Sequence, residues 1–136
     1  MKRHATAVWT GSLKEGAGHL STQSGILVNA QYSYKSRFEE GIGTNPEELV
    51  AAAHSGCFTM QLSAYVTGDG FEIESIETKC DIDLLEGKIV SSHLAVTAKI
   101  KDISNETFQE LVTKAELNCP ISKLFNTEIS TTATLV

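Results

Sequence analysis

From Leu49 to Val66, "LVAAAHSGCFTMQLSAYV", no side chain carries a fixed charge, and no other stretch of the chain limits the possible folds as strongly. Its length approaches that of a membrane span, but His54, Gln61 and several hydroxyl side chains interrupt it, and no basic residues flank it. The pattern predicts instead a central helix buried on most sides. Ala51, Ala52, Ala53, Ser55 and Gly56 leave room for a second backbone to pack close. Two start signals compete: Thr44 with Glu47 matches a capping box, and Asn45 before Pro46 is an equally good cap with proline at the first helical position. "VTGDG" ends the helix.

On either side of this helix the periodicity changes. Residues 2 to 36 read as an N-terminal β-meander through "HATAVWTG", "KEGAGHLS" and "GILVNAQYSY". "RFEEGIGTNPEE" reads as the loop that leads into the helix. Residues 71 to 101 form a β-hairpin around "EGK". In its first arm Ile76, Thr78, Cys80, Ile82 and Leu84 share the core face. In the second arm Val90, Leu94, Val96, Ala98 and Ile100 point inward, which puts His93 on the outer face with Ser91 and Lys99. Phe108, Leu111, Val112 and Ala115 follow at helical spacing, after a cap at Ser104 or Asn105. Cys119 and Pro120 break that second helix, "PISKLF" makes a short new turn, and Ile129, Thr131, Ala133 and Leu135 alternate in a closing strand. Strands, helix, hairpin, helix and strand make an α+β fold. A chain of 136 residues suits one domain, and folding at this length buries about two-thirds of the unfolded surface.

The formal net charge of −6 repels phosphate backbones and anionic membranes, so neither nucleic acid nor a membrane is an expected partner. "MKRHATAVWTG" has no apolar segment behind its basic residues, so a secretory signal is not expected and the cytoplasm is the expected compartment. Cys57, Cys80 and Cys119 form neither a CxxC pair nor an even disulfide framework, which in a reducing compartment points to thiols that are buried or chemically used. His4, His19, His54 and His93 lack zinc-like spacing, so no metal is expected.

Free cysteine packs as a small hydrophobe, so Cys57 alone reads well as core filler. Cys119 shifts the balance because it sits at the entrance of a helical turn, and helix N-termini lower thiol pKa values. A thiol in a buried helix and a second thiol at a helix entrance suit a nucleophile with a resolving partner, passing through sulfenic acid to disulfide. A peroxidatic thiolate also needs a fixed cation, for which Arg37 is the candidate, held by Glu47 or Glu48. A solvated arginine and two glutamates favouring a helix N-terminus explain those residues equally well. Glu47 and Cys57 are ten residues apart, about 15 Å along a straight helix, so one chain cannot bring them together unless the helix starts late or bends. An antiparallel second chain would supply its own Glu47, which predicts a homodimer with a composite site. Two rival readings stay open: a thiol acyl-transfer enzyme with His54 as base, and a small-molecule binding module with structural thiols.

"SRFEEGIGTNPEELVAAAHSGCFTM" resembles the signature of the OsmC/Ohr family of osmotically inducible and organic hydroperoxide resistance proteins, and "LNCPIS" resembles its second-cysteine motif. The similarity covers essentially the whole chain. It implies a single OsmC-like domain over residues 1–136, in an intertwined homodimer whose central helices are wrapped by two sheets. It also implies a thiol peroxidase that reduces organic hydroperoxides and, more slowly, hydrogen peroxide, in oxidative or osmotic stress defence. On the matching positions Cys57 is peroxidatic, Cys119 resolving, and Arg37 with Glu47 the activating pair, while Cys80 falls outside the pattern. The implied reductant is an external dithiol of the lipoyl type, and no cofactor is required. Arg37 just before the helix resembles the OsmC branch more than the Ohr branch. Phe58 and Met60 suit an alkyl peroxide or plain core packing.

Overall fold

In a computed structural model of all 136 residues, the N-terminal segment is an antiparallel meander, with β1 (Ala5–Thr10) and β3 (Ala30–Tyr32) flanking β2 (Ala17–Thr22). Gly18 lies opposite both Trp9 and Tyr32 in the register. A Cβ there would come within 2.5 Å of the Tyr32 ring and 2.7 Å of the Trp9 ring, so glycine is what lets the two aromatics meet, centroids 5.4 Å apart. The third strand is shorter than its apolar run predicts. Asn29, at φ 51°, turns the chain, and Ile26 and Val28 stay exposed, so only the end of "GILVNAQYSY" pairs.

The segment after β3 corrects a second expectation. Arg37 lies not in a loop but in the last turn of a short helix, α1 (Tyr34–Phe38). Ser33 and Ser36 start it by capping each other: the Ser36 amide donates to Ser33 Oγ at 3.2 Å and the Ser33 amide to Ser36 Oγ at 2.8 Å. This reciprocal cap uses serine where the usual motif has glutamate or glutamine.

The central helix, α2, runs Pro46–Gly68. Of the two competing start signals Asn45 forms the cap, its Oδ1 accepting from the Glu48 amide at 2.8 Å. The Thr44 hydroxyl turns to the Glu48 carboxylate, which leaves Glu47 free for another partner. Within the chain α2 is buried along one stripe, His54, Phe58, Leu62 and Val66, at intervals of four residues. On the opposite stripe Ala52, Ala53, Gly56, Met60 and Ala64 are exposed in the single chain, Met60 at 76%.

The chain divides into two compact units, Met1–Leu49 and Val50–Val136. In the second, β4 (Glu72–Leu85) and β5 (Lys88–Lys101) form the hairpin, and β6 (Glu128–Leu135) joins β5 in parallel. Glu86 and Gly87 turn the hairpin at φ 51° and 78°, both in the left-handed region that a two-residue turn of this twist requires. The core face of β4 is the one its alternation predicts. In β5, Leu94, Val96, Ala98 and Ile100 are buried as predicted, but a register shift between Asp83 and Leu84 leaves Val90 unpaired and 36% exposed. α3 (Asn105–Asn118) takes Ser104 as its cap and buries the four predicted apolar residues. α2 and α3 pack their stripes with the inner face of β5 into one core, and α4 (Pro120–Leu124) follows α3 directly.

Candidate active site

The four residues predicted for the site form two pairs, one in each unit. In the first unit Arg37 comes from the end of α1 and Glu47 from the first turn of α2. Arg37 Nη2 donates to Glu47 Oε1 at 2.7 Å, and Nε lies 3.2 Å from both carboxylate oxygens. Of Glu47 and Glu48, Arg37 pairs with Glu47, while the Glu48 carboxylate accepts from the Thr44 hydroxyl. The Arg37 hydrogen bonds hold the Glu47 carboxyl below its ordinary pKa, against the opposing effect of burial. Arg37 also lies over the Phe38 ring, 4.9 Å from its centroid. Beside it Trp9, Tyr32, Tyr34 and Phe38 line an apolar recess of about 270 Å³.

In the second unit Cys57 sits midway along α2, half-buried, and Cys119 is fully buried at the junction of α3 and α4. The Cys119 amide donates to the Ala115 carbonyl at 2.8 Å and its carbonyl accepts from the Lys123 amide at 3.0 Å, so this one residue closes one helix and opens the next. The two thiols are free and close enough for Cys119 to affect the ionisation of Cys57. Burial pushes the Cys57 thiol above its ordinary pKa, the Ile121 amide opposes that shift, and Cys119 adds to it. None of these influences is a positive charge.

His54 lies one turn before Cys57 on α2 and is fully buried. Its Nδ1 is 2.7 Å from Ser92 Oγ on β5 and its Nε2 2.8 Å from Ser122 Oγ on α4. A neutral imidazole donates through one nitrogen and accepts through the other, so both serines are used. Cys80 Sγ approaches the same Ser92 hydroxyl at 3.3 Å, and burial raises its pKa. Sequence reasoning missed both serines. Ser92 had a signal, since it precedes Leu94, Val96, Ala98 and Ile100 on the alternating core-facing positions of β5. Ser122 had none, because nothing local in "PISKLF" tells which serine face of a five-residue helix is buried.

Burial holds the His54 pKa below 6.5, with Glu116 pulling weakly the other way. Below 6.5 the unfolded chain therefore takes up a proton that the folded chain resists. The stabilisation is complete above that value and is lost as pH falls toward the lower folded-state value. Thermal melts at about pH 7.5 and about pH 5.5 should differ by a few degrees more in the wild type than in His54→Gln, which removes this titration.

The chain thus has an α+β fold with two free thiols, Cys57 and Cys119, in the second unit and a carboxylate-held arginine in the first. The chain belongs to the family described as OsmC-like protein, whose model matches residues 39–134. It is 38% identical over 128 residues to peroxiredoxin OsmC of Escherichia coli, covering 91% of this chain and 90% of that one. The organic hydroperoxide resistance protein OhrB of Bacillus subtilis is 31% identical over 110 residues, 79% of this chain and 80% of that protein. Its crystal structure superposes with a TM-score of 0.68, covering 98% of each chain. An OsmC-like protein of Vibrio cholerae shares the fold at a TM-score of 0.78 and 17% identity, over 98% of this chain and 99% of that one. No helix of the chain is long and apolar enough to cross a membrane.

Proposed function

We propose that the chain is a thiol peroxidase that reduces organic hydroperoxides, and hydrogen peroxide more slowly, in oxidative or osmotic stress defence in the cytoplasm. Relatives named as a peroxiredoxin and as organic hydroperoxide resistance proteins support a role of peroxidase type. The observation that supports the finer reading is the proximity of Cys57 and Cys119, two free thiols on separate helices, the second of which affects the ionisation of the first. In the first step the Cys57 thiolate attacks the terminal peroxide oxygen. An S–O bond forms, the O–O bond breaks, and the alkoxide leaves and takes a proton, giving an alcohol and a sulfenic acid. In the second step the Cys119 thiolate attacks that sulfur, hydroxide leaves as water, and an external dithiol, of the lipoyl type, reduces the resulting disulfide by exchange.

Arg37 holds the positive charge that this scheme needs, to ionise Cys57 and to meet the departing oxygen. Helix α2 starts at Pro46, so Glu47 lies in its first turn and a late start cannot shorten its separation from Cys57. A second copy supplies the answer. In a homodimer with antiparallel central helices, the exposed stripe of Ala52, Gly56, Met60 and Ala64 would be covered and each Cys57 would receive its partner's Arg37 and Glu47. Nothing lies within 4 Å of where a Cβ on Gly56 would stand, which leaves that approach open. Residues 1–136 then act as a single OsmC-like domain completed by its partner. Met60 belongs to this covered face, whereas Phe58 belongs to the core of its own chain.

The acyl-transfer alternative loses its base, because both His54 nitrogens are bonded to buried serines. The deciding experiment is a free-thiol count with peptide mapping before and after one equivalent of tert-butyl hydroperoxide. The expected result is a fall from three thiols to one, with Cys57 joined to Cys119 and Cys80 still free. Three thiols remaining would refute the peroxidase reading.

A further inference from the structure

Disulfide formation demands more of Cys119 than proximity. The sulfur–sulfur bond is near 2 Å and its dihedral is restricted, so the segment bearing Cys119 must hold one orientation against α2. That segment has little stability of its own. α4 has five residues, its cap makes no side-chain hydrogen bond, and a helix so short does not persist without tertiary contacts. Cys119 is packed in the core and Ile121 against it, and the directional, hydrogen-bonded part of the hold is at His54. Ser122 lies three residues after Cys119, and His54 three residues before Cys57, so the imidazole–hydroxyl bond joins the two elements beside the place where the two thiols approach. The same imidazole packs edge-on against Phe125, which ends α4, with centroids 4.9 Å apart at 76°. On its far side it is tied to Ser92 on the sheet, itself fully buried.

We infer that His54 is a positioning residue: through Ser122 and Phe125 it seats α4 on α2, and so holds Cys119 where it closes the disulfide on oxidised Cys57. The inference rests on the peroxidase reading above. Hydrogen bonds suit this task because they are directional. An apolar contact would hold α4 near α2 without fixing its rotation, whereas an imidazole bonded at both nitrogens fixes the ring, and the ring fixes Ser122. The anchor bears mainly on the second chemical step: α4 enters the first only through the Ile121 amide, which opposes the burial shift of the Cys57 thiol, whereas closure needs Cys119 itself in place.

The test separates the two steps. Wild type, Ser122→Ala, Ser122→Thr and His54→Phe are each reacted with one equivalent of tert-butyl hydroperoxide and quenched over time. Cys57 sulfenic acid and the Cys57–Cys119 disulfide are then quantified by mass spectrometry. In Ser122→Ala, closure should slow about tenfold, since small misplacement of a reacting group carries penalties of that order or larger, while sulfenic acid formation, which α4 touches only through the Ile121 amide, should slow far less. Excess peroxide should then drive more of its Cys57 to sulfinic acid. Ser122→Thr, which keeps the hydroxyl, should restore closure. Hydrogen exchange gives a second readout, in which the amides of α4 should exchange faster in Ser122→Ala than in wild type. His54→Phe keeps the packing against Phe125 but loses both hydrogen bonds, and it should close more slowly still. Closure at the wild-type rate in Ser122→Ala would overturn the inference, as would equal slowing of both steps, which would mark a general support of the fold. A wild-type chain that oxidises without forming the Cys57–Cys119 disulfide would overturn the peroxidase reading, and this inference with it. A wild-type chain that forms it, with Ser122→Ala keeping pace, overturns this inference alone.

Discussion

Cys57→Ser should abolish steady-state consumption of tert-butyl hydroperoxide in the presence of a lipoyl dithiol, a loss of at least about a thousandfold in kcat/KM. The size follows from the chemistry. The reaction needs a soft, ionisable nucleophile to break the O–O bond, and a serine hydroxyl does not ionise at neutral pH and forms no sulfenic acid. The other two thiols then separate the steps. Cys119→Ser should consume one equivalent of peroxide per chain and stop, leaving a Cys57 sulfenic acid that a dimedone label captures. Cys80→Ala should keep both steps, because Cys80 faces Ser92 and not the thiol pair. Steady-state peroxide consumption, dimedone labelling and intact mass check all three. Turnover surviving in Cys57→Ser would make Cys57 the core filler its composition allows.

The elements that sequence exposes best are those whose burial is local in origin. Alternation in β4 from Ile76 onward and throughout β6, and the spacing of Phe108, Leu111, Val112 and Ala115, each put one face of one element toward the core, so period alone was enough to find them. Where several weak terms compete, the sequence was less legible. Asn45 rather than Thr44 caps α2 because the Thr44 hydroxyl found Glu48, a partner one turn ahead. α1 escaped notice because two serines perform a cap that pattern rules assign to longer side chains. Val90 fell on the wrong face because a bulge is set by the pairing of two strands and not by either one. The site divides in the same way. The Arg37–Glu47 ion pair and the thiol pair could be proposed from residue types and helix geometry, but the seat of α4 could not. It depends on three residues, 54, 92 and 122, from three elements far apart in sequence, and their meeting is a property of the tertiary fold.

Arg37→Ala should lower kcat/KM for tert-butyl hydroperoxide by about a hundredfold or more, the usual consequence of removing a preorganised charge from a reacting centre. By itself that loss does not say whose Arg37 serves whose Cys57. Mixed dimers do. If the site is composite, each chain of a homodimer uses its own Cys57 with its partner's Arg37 and Glu47. A Cys57→Ser chain then retains a good Arg37, an Arg37→Ala chain retains a good Cys57, and a dimer of one with the other contains one complete site. When the two variants, each nearly inactive, are unfolded together and refolded at equal concentration, half of the dimers are mixed. Activity should therefore return to about a quarter of the wild-type value. If Arg37 instead served the Cys57 of its own chain, neither chain of the mixed dimer would hold a complete site, and mixing would restore nothing. The ionisation of Cys57 supplies an independent check. Within one chain burial raises its pKa, so the thiolate should be scarce at neutral pH. If the site is composite, the partner's guanidinium opposes that shift, and the pH at which Cys57 alkylates half-maximally should fall. In Arg37→Ala it should rise again, because the opposing charge is gone while the burial remains.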